Sequence, residues 1–160
     1  MNLNALLEET KTKLLGVDGS VDGNISLTGK VVIAYDEDDL LDALKGVRSY
    51  PAVGIVYEGM RSMPEVGPTA KVGVSVEVVV SFVLIQQGPA ISASDQKRTK
   101  AIDYLEQMRN QFLNQKSTVT SHFWKFMVEA PVTMKGGMVV WSQRWSVPGQ
   151  LKPTKLTPYG

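Results

Sequence analysis

The stretch KVGVSVEVVVSFVL, Lys71–Leu84, decides how this chain is read. Every even position from Val72 to Leu84 is apolar, whereas the odd positions begin Lys71, Gly73, Ser75 and Glu77. Alternation of period two marks a strand with one face on a core. Past Glu77 the odd face turns apolar too, through Val79 and Val83, so the second half belongs in a covered sheet centre. From Val72 to Leu84 such a strand spans about 40 Å at ~3.3 Å per residue. A compact domain of this size is itself about 40 Å across. The strand is therefore expected to cross the subunit or protrude, with an edge that a neighbouring copy covers.

Working outward, AVGIVYEGM after Pro51 reads as a second strand with Val53, Ile55 and Tyr57 on one side. The loop RSMPEVGPTA joins it to the long strand, making the two antiparallel neighbours in a long β-hairpin. After QQGPA the period switches to 3.6. A helix is expected from Asp95 to Gln115, with Ser92 and Asp95 in capping-box spacing and a stripe of Ala101, Ile102, Leu105, Met108, Phe112 and Leu113. FWKFMVEAPVTM is a further β region, KGG a turn, and MVVWSQRWSV a last strand. Val139, Trp141, Trp145 and Val147 share a face of it, interrupted by Gln143. The end, PGQLKPTKLTPYG, has three prolines and no periodicity, as an extended arm would.

Upstream, MNLNALLEETKTKLLG reads as a modest amphipathic helix. Leu3, Ala5, Leu6, Leu7 and Leu14 turn inward; Glu8, Glu9, Lys11 and Lys13 face solvent. VDGSVDGN reads as turns, and a β segment lies around Ile25–Ala34. DEDDLLDALKGVRSYP starts a short helix capped by Asp36 or Asp38, with Leu40, Leu41 and Leu44 inward. The order α-β-α-β-β-α-β-β predicts an α+β fold: a mixed, mainly antiparallel sheet packed by one long and two shorter helices. One domain covers residues 1–150, and residues 151–160 form the arm.

Composition narrows the function. Of 160 residues, 43% are hydrophobic and 21% charged, as in ordinary globular proteins. Lys and Arg number 17 against 16 Asp and Glu, so the basic excess typical of a phosphate-gripping protein is missing. The absence of cysteine removes disulfides, thiolate metal sites and cysteine nucleophiles. Neither a secretory signal nor an apolar run of about 18–20 residues is present. A soluble protein of a reducing cytoplasm is expected.

The motifs that suggest chemistry fail on inspection. DGSVDGNISLTG places Asp18, Ser20, Asp22 and Asn24 as a calcium loop would, but Gly29 stands where a bidentate Glu is needed. Asp36–Asp39 are adjacent on a helix start and point apart, unlike converging metal ligands. GVSVE has Glu77 in place of the second glycine of a nucleophile elbow and lies within a strand. His122 is the only histidine, which leaves a hydrolase dependent on it alone and favours a structural hydrogen bond. Lys97, Arg98 and Lys100 suit a solvated face or a contact with a neighbour. Trp124, Trp141 and Trp145 suit core or interface packing better than base stacking.

GVRSYPAVGIVYEGMRS, a loop, KVGVSVEVVVSFVLIQQ, a long helix and an aromatic strand pair together resemble the tail terminator (tail completion, neck) proteins of long-tailed bacteriophages. The resemblance spans about residues 1–150 and consists of element order and a diffuse pattern. It implies a structural virion protein without enzymatic activity or cofactor, assembled in the host cytoplasm. A homo-hexameric ring would cap the tail tube, contact the tube protein and the head connector, and let genome DNA slide through its lumen; no membrane is involved. A head-completion or connector subunit, or a non-viral α+β small-molecule binding module, are the alternatives. Candidate contacts are Arg61, Met63, Glu65 and Lys71 around the hairpin, Lys97, Arg98 and Lys100 on the helix, and Lys152, Lys155 and Tyr159 in the arm.

Overall fold

A strand as long as β3, Val74–Gln86, is stable only if partners run beside it, and it has them on both sides. The computed structural model describes residues 1–15, 31–36, 38–40, 52–64, 73–86, 94–132 and 139–152. On one flank of β3 lies β2, Ala52–Ser62, antiparallel to it from Ala52 opposite Ile85 to Ser62 opposite Val76. On the other lies β5, Val139–Leu151, antiparallel without a break from Val74 opposite Leu151 to Gln86 opposite Val139. The short strand β1, Val31–Ala34, runs parallel to β2, and β4, Lys125–Val132, runs antiparallel to β5. The sheet order is β1-β2-β3-β5-β4. Together with the helices this is an α+β fold with a mixed sheet. The residues joining β2 to β3, 65–72, lie outside the described ones, as do most of the arm and the calcium-like loop.

Two helices, α1 (Leu3–Leu15) and α2 (Ser94–Phe112), cover one face of the sheet. The even residues Val76 to Leu84 of β3 point toward them and are buried. Phe112, at the end of α2, centres the aromatic core. Its ring lies 4.7 Å from Phe82, 5.3 Å from Trp124 and 5.6 Å from Trp145, in tilted or edge-on contacts that aromatic quadrupoles favour. Gln143, fully buried on the same face, keeps all its polar atoms satisfied. Its amide donates to the Leu105 carbonyl and to Glu129, and its carbonyl accepts from the Trp145 indole. The expected interruption of the β5 face is thus a bonded one.

The opposite face is covered at one end. Asp36 caps a helical start at residues 38–40, its carboxylate accepting from the Asp39 N–H at 2.7 Å. That turn presses Leu40 onto Gly54, where a Cβ would collide with the leucine side chain. Ala34, Ala52, Ile85 and Val140 complete this second small core. Leu41 and Leu44 fall outside the described residues.

Several boundaries differ from expectation, each for a local reason. The long strand runs two residues later than Val72–Leu84, because Gly73 takes a φ of 126° that a strand residue avoids. α2 stops at Phe112 rather than Gln115: Asn114, at φ 58°, is a left-handed cap, and the Gln115 N–H bonds to the Phe112 carbonyl. β4 begins at Lys125, not Phe123, and β5 continues to Leu151, into the expected arm. Glu9, read as a solvent residue, accepts from the Ser117 hydroxyl and from both the N–H and hydroxyl of Thr118. It ties the first helix to the turn after α2. Ile102 and Leu113, read into the core stripe, are exposed, and Tyr104 is buried instead. The side of α2 that carries Ile102 and Leu113 is the one whose Arg109 bonds to Glu129 of β4, away from the core face that holds Tyr104, Leu105 and Met108.

Phe112→Ala empties the meeting point of three aromatic rings and is expected to cost about 3–5 kcal/mol in chemical denaturation. A loss under ~1 kcal/mol would show that the core is centred elsewhere.

Candidate functional site

The half of the second sheet face that Leu40 does not reach is open and polar. On β3, Glu77 accepts from the Ser146 hydroxyl on β5 at 2.6 Å and from Arg61 on β2 at 2.8 Å. One strand pair further along, Arg144 on β5 meets Glu58 at 2.6 Å. Glu58 is the extra residue of a β-bulge in β2, followed by Gly59 at a φ of 106°, which aims the carboxylate across the sheet. Met60, Val79 and Met127 complete the lining of a shallow depression of about 500 Å³. Its charges are already paired. The hydrogen bond from Ser146, aided by Arg61 and working against partial burial, holds the Glu77 carboxyl below the usual 4.5.

Nothing else in the described residues converges on chemistry. No three His, Asp or Glu side chains come together as a metal would need. His122 is exposed in a turn, and the structural bonds expected of it come from its backbone, which donates to Thr120 and accepts from Ser117. The buried polar atoms without a partner, Ser81 Oγ, Gln107 Oε1 and Trp124 Nε1, lie on β3, on α2 and just before β4. No described helix is long and apolar enough to cross a membrane.

Apolar exposure is the feature that does concentrate. Phe123, Phe126, Met127, Val128 and Val132 are each 37–51% exposed and fall within ten residues on or just before β4. β4 is an edge strand, so its outer side also carries backbone groups that no described strand pairs. Beside it runs one flank of α2. Arg109 on that flank bonds to Glu129 of β4 at 2.6 Å, which fixes the side of the helix that overlooks the strand. Ile102 and Leu113 lie seven and four residues from Arg109, hence on the same side, at 49% and 43% exposed. Exposed apolar side chains thus flank the edge strand on both sheet faces: Phe126 on the helix side, as are Ile102 and Leu113 of the α2 flank, and Met127 and Val128 on the polar side with Arg144.

The candidate contacts divide accordingly. Arg61, Met63 and Lys152 come to one end of the sheet: Arg61 pairs with Glu77, the Met63 N–H bonds to the Ser75 carbonyl, and Lys152 follows Leu151, opposite Val74. Lys97, Arg98 and Lys100 lie in the first turns of α2, their side chains outside the described set. Glu65, Lys71, Lys155 and Tyr159 lie outside the described residues. The β4 surface was missed, although Pro131 within FWKFMVEAPV signals an edge strand. Comparison with known families finds no matching family model, and no curated protein matches in sequence.

Because the folded carboxyl of Glu77 titrates below its unfolded value, it adds stability above pH 4.5 that fades as pH falls through its folded pKa. Ser146→Ala removes the largest cause, so an NMR titration of the Glu77 carboxyl should move back toward 4.5. An unchanged midpoint would assign the shift to Arg61 instead.

Proposed function

We propose that this chain is a structural, ring-forming subunit that caps a phage tail tube and presents the head-joining surface. The observation that carries the reading is the apolar surface on β4 and the α2 flank. Among the described residues, half of the exposed large apolar side chains gather between Phe123 and Val132. Exposed apolar surface gathered in one place marks a site of association rather than scattered surface residues. The α+β fold with its mixed sheet supports the reading because the resemblance implies that architecture.

The open polar face also fits this role. Its two arginines are held in ion pairs by Glu58 and Glu77, and Lys125 lies within the field of Glu77, so the face is not a row of bare cations that would grip phosphates. Its depression is shallow and lined by paired charges, unlike the deep apolar cleft of a small-molecule site.

The test is assembly. Purified full chain imaged in negative stain should give six-fold rings, and cognate tail tubes incubated with it should carry a cap at one end and stop growing. Binding to portal-filled heads but not to tubes would transfer the protein to the head-completion side of the neck. A monodisperse monomer at micromolar concentration that leaves tube growth unchanged would overturn the reading.

A further inference from the structure

Among the described residues, the sheet has a second open edge, on the side away from β4. β1 pairs with β2 only from Val53 to Val56, so the outer side of β2 from Tyr57 to Ser62 meets no described strand. Here β2 presents its bulge, Met60 and the exposed Arg61 and Ser62. Among the described residues, one subunit thus carries two unpaired strand edges, on opposite sides of one sheet.

Strand direction relates these edges. β2 and β5 run one way, β3 and β4 the other, since every neighbour from β2 to β4 is antiparallel. If a copy is set beside another with its sheet facing the same way, β4 of the first meets β2 of the second. The two then run antiparallel, the more stable pairing. We propose that the seam between copies of this chain joins the β4 edge and α2 flank of one subunit to the outer half of β2 in the next, head to tail. This deepens the ring reading and rests on it for closure of the ring, though not for the seam itself.

The size of the surface suits a second copy. The exposed apolar side chains of β4 and the α2 flank offer on the order of 500 Å². The strand edge and polar rim bring the patch to roughly the 800 Å² per partner that a stable interface buries. The ladder across the seam is short, because Pro131 has no N–H to donate and the bulge at Met127 twists β4. Ile102, Phe126, Met127 and Val128 therefore supply most of the contact as packing, which gives the seam the specificity that a bare strand edge lacks. The two edges sit at different heights: β4 lies level with the β1 end of the sheet, and the free part of β2 beyond it. Copies joined this way close into a ring only if their strands tilt against the ring axis.

Two measurements on the full chain test the seam. Val128→Lys and Ile102→Lys, read by light scattering, should each weaken association at least tenfold while the thermal melting temperature stays within a few degrees of wild type. Since the chain has no cysteine, introduced thiols report alone. Val128→Cys or Ala130→Cys, combined with Arg61→Cys, all on the polar face of the sheet, should give a ladder of disulfide-linked oligomers on oxidation. Dimers from a β4 cysteine alone would mean a back-to-back joint and overturn the head-to-tail seam. A monomeric wild type, or rings that survive both lysines and form no cross-link, would overturn it too. Rings that survive the lysines but still cap tubes would remove the seam and keep the proposed function. Head-to-tail oligomers that never arrest a tube would do the reverse.

Discussion

The full-length pairing of β3 is the constraint on which the other elements depend. A strand of thirteen residues is held from both sides, by β2 and without a break by β5. Its even face then becomes a continuous apolar wall, and both helices have a place to bury their stripes. Phe82 on that wall draws in Phe112, and Phe112 in turn sets Trp124 and Trp145 around it. The odd face of the same strand divides the other side of the sheet. Ile85 anchors the small core under Leu40, while Glu77 organises the open polar half. One strand therefore decides both what is covered and what is left for partners.

How far the residues announced this depends on whether the determining contacts are local. The alternation of β3 was readable because a strand with one face on a core repeats every two residues. The change in its odd face at Val79 also marked where the sheet becomes covered. The polar face was not readable. Glu77 and Ser146 are 69 residues apart, and Glu58 and Arg144 are 86 apart. Only the placement of β5 beside β3 brings them together. Ile102 and Leu113 show a different limit: an apolar residue bordering a helical stripe looks the same whether it faces its own core or a neighbour. Their exposure follows from which side of α2 meets the sheet, which periodicity does not encode. Glu9 was misread for a similar reason, since its partners, at Ser117 and Thr118, belong to a turn more than 100 residues away.

The candidate surfaces follow from the same geometry. The sheet is ragged, with β1 and β4 short beside three long strands. Raggedness leaves edges, and edges in native sheets are either blunted or used. Here both devices occur together. Bulges at Glu58 and Met127 and the proline at position 131 interrupt the ladders, while apolar side chains remain exposed around one of them. An edge that resists indiscriminate pairing but keeps an apolar surface is suited to one partner of matching shape.

Gln143 has a consequence beyond its own hydrogen bonds. Its amide links β5 to the α2 backbone and to Glu129 of β4, and Glu129 is bound to Arg109 of the same helix. A slip of β5 by two residues would keep its alternation intact and still bury apolar side chains. It would also carry the amide N–H groups away from the Leu105 carbonyl and Glu129, leaving buried donors without acceptors. The residue that looks like a flaw in an apolar strand thus penalises alignments of β5 that hydrophobic burial alone would accept.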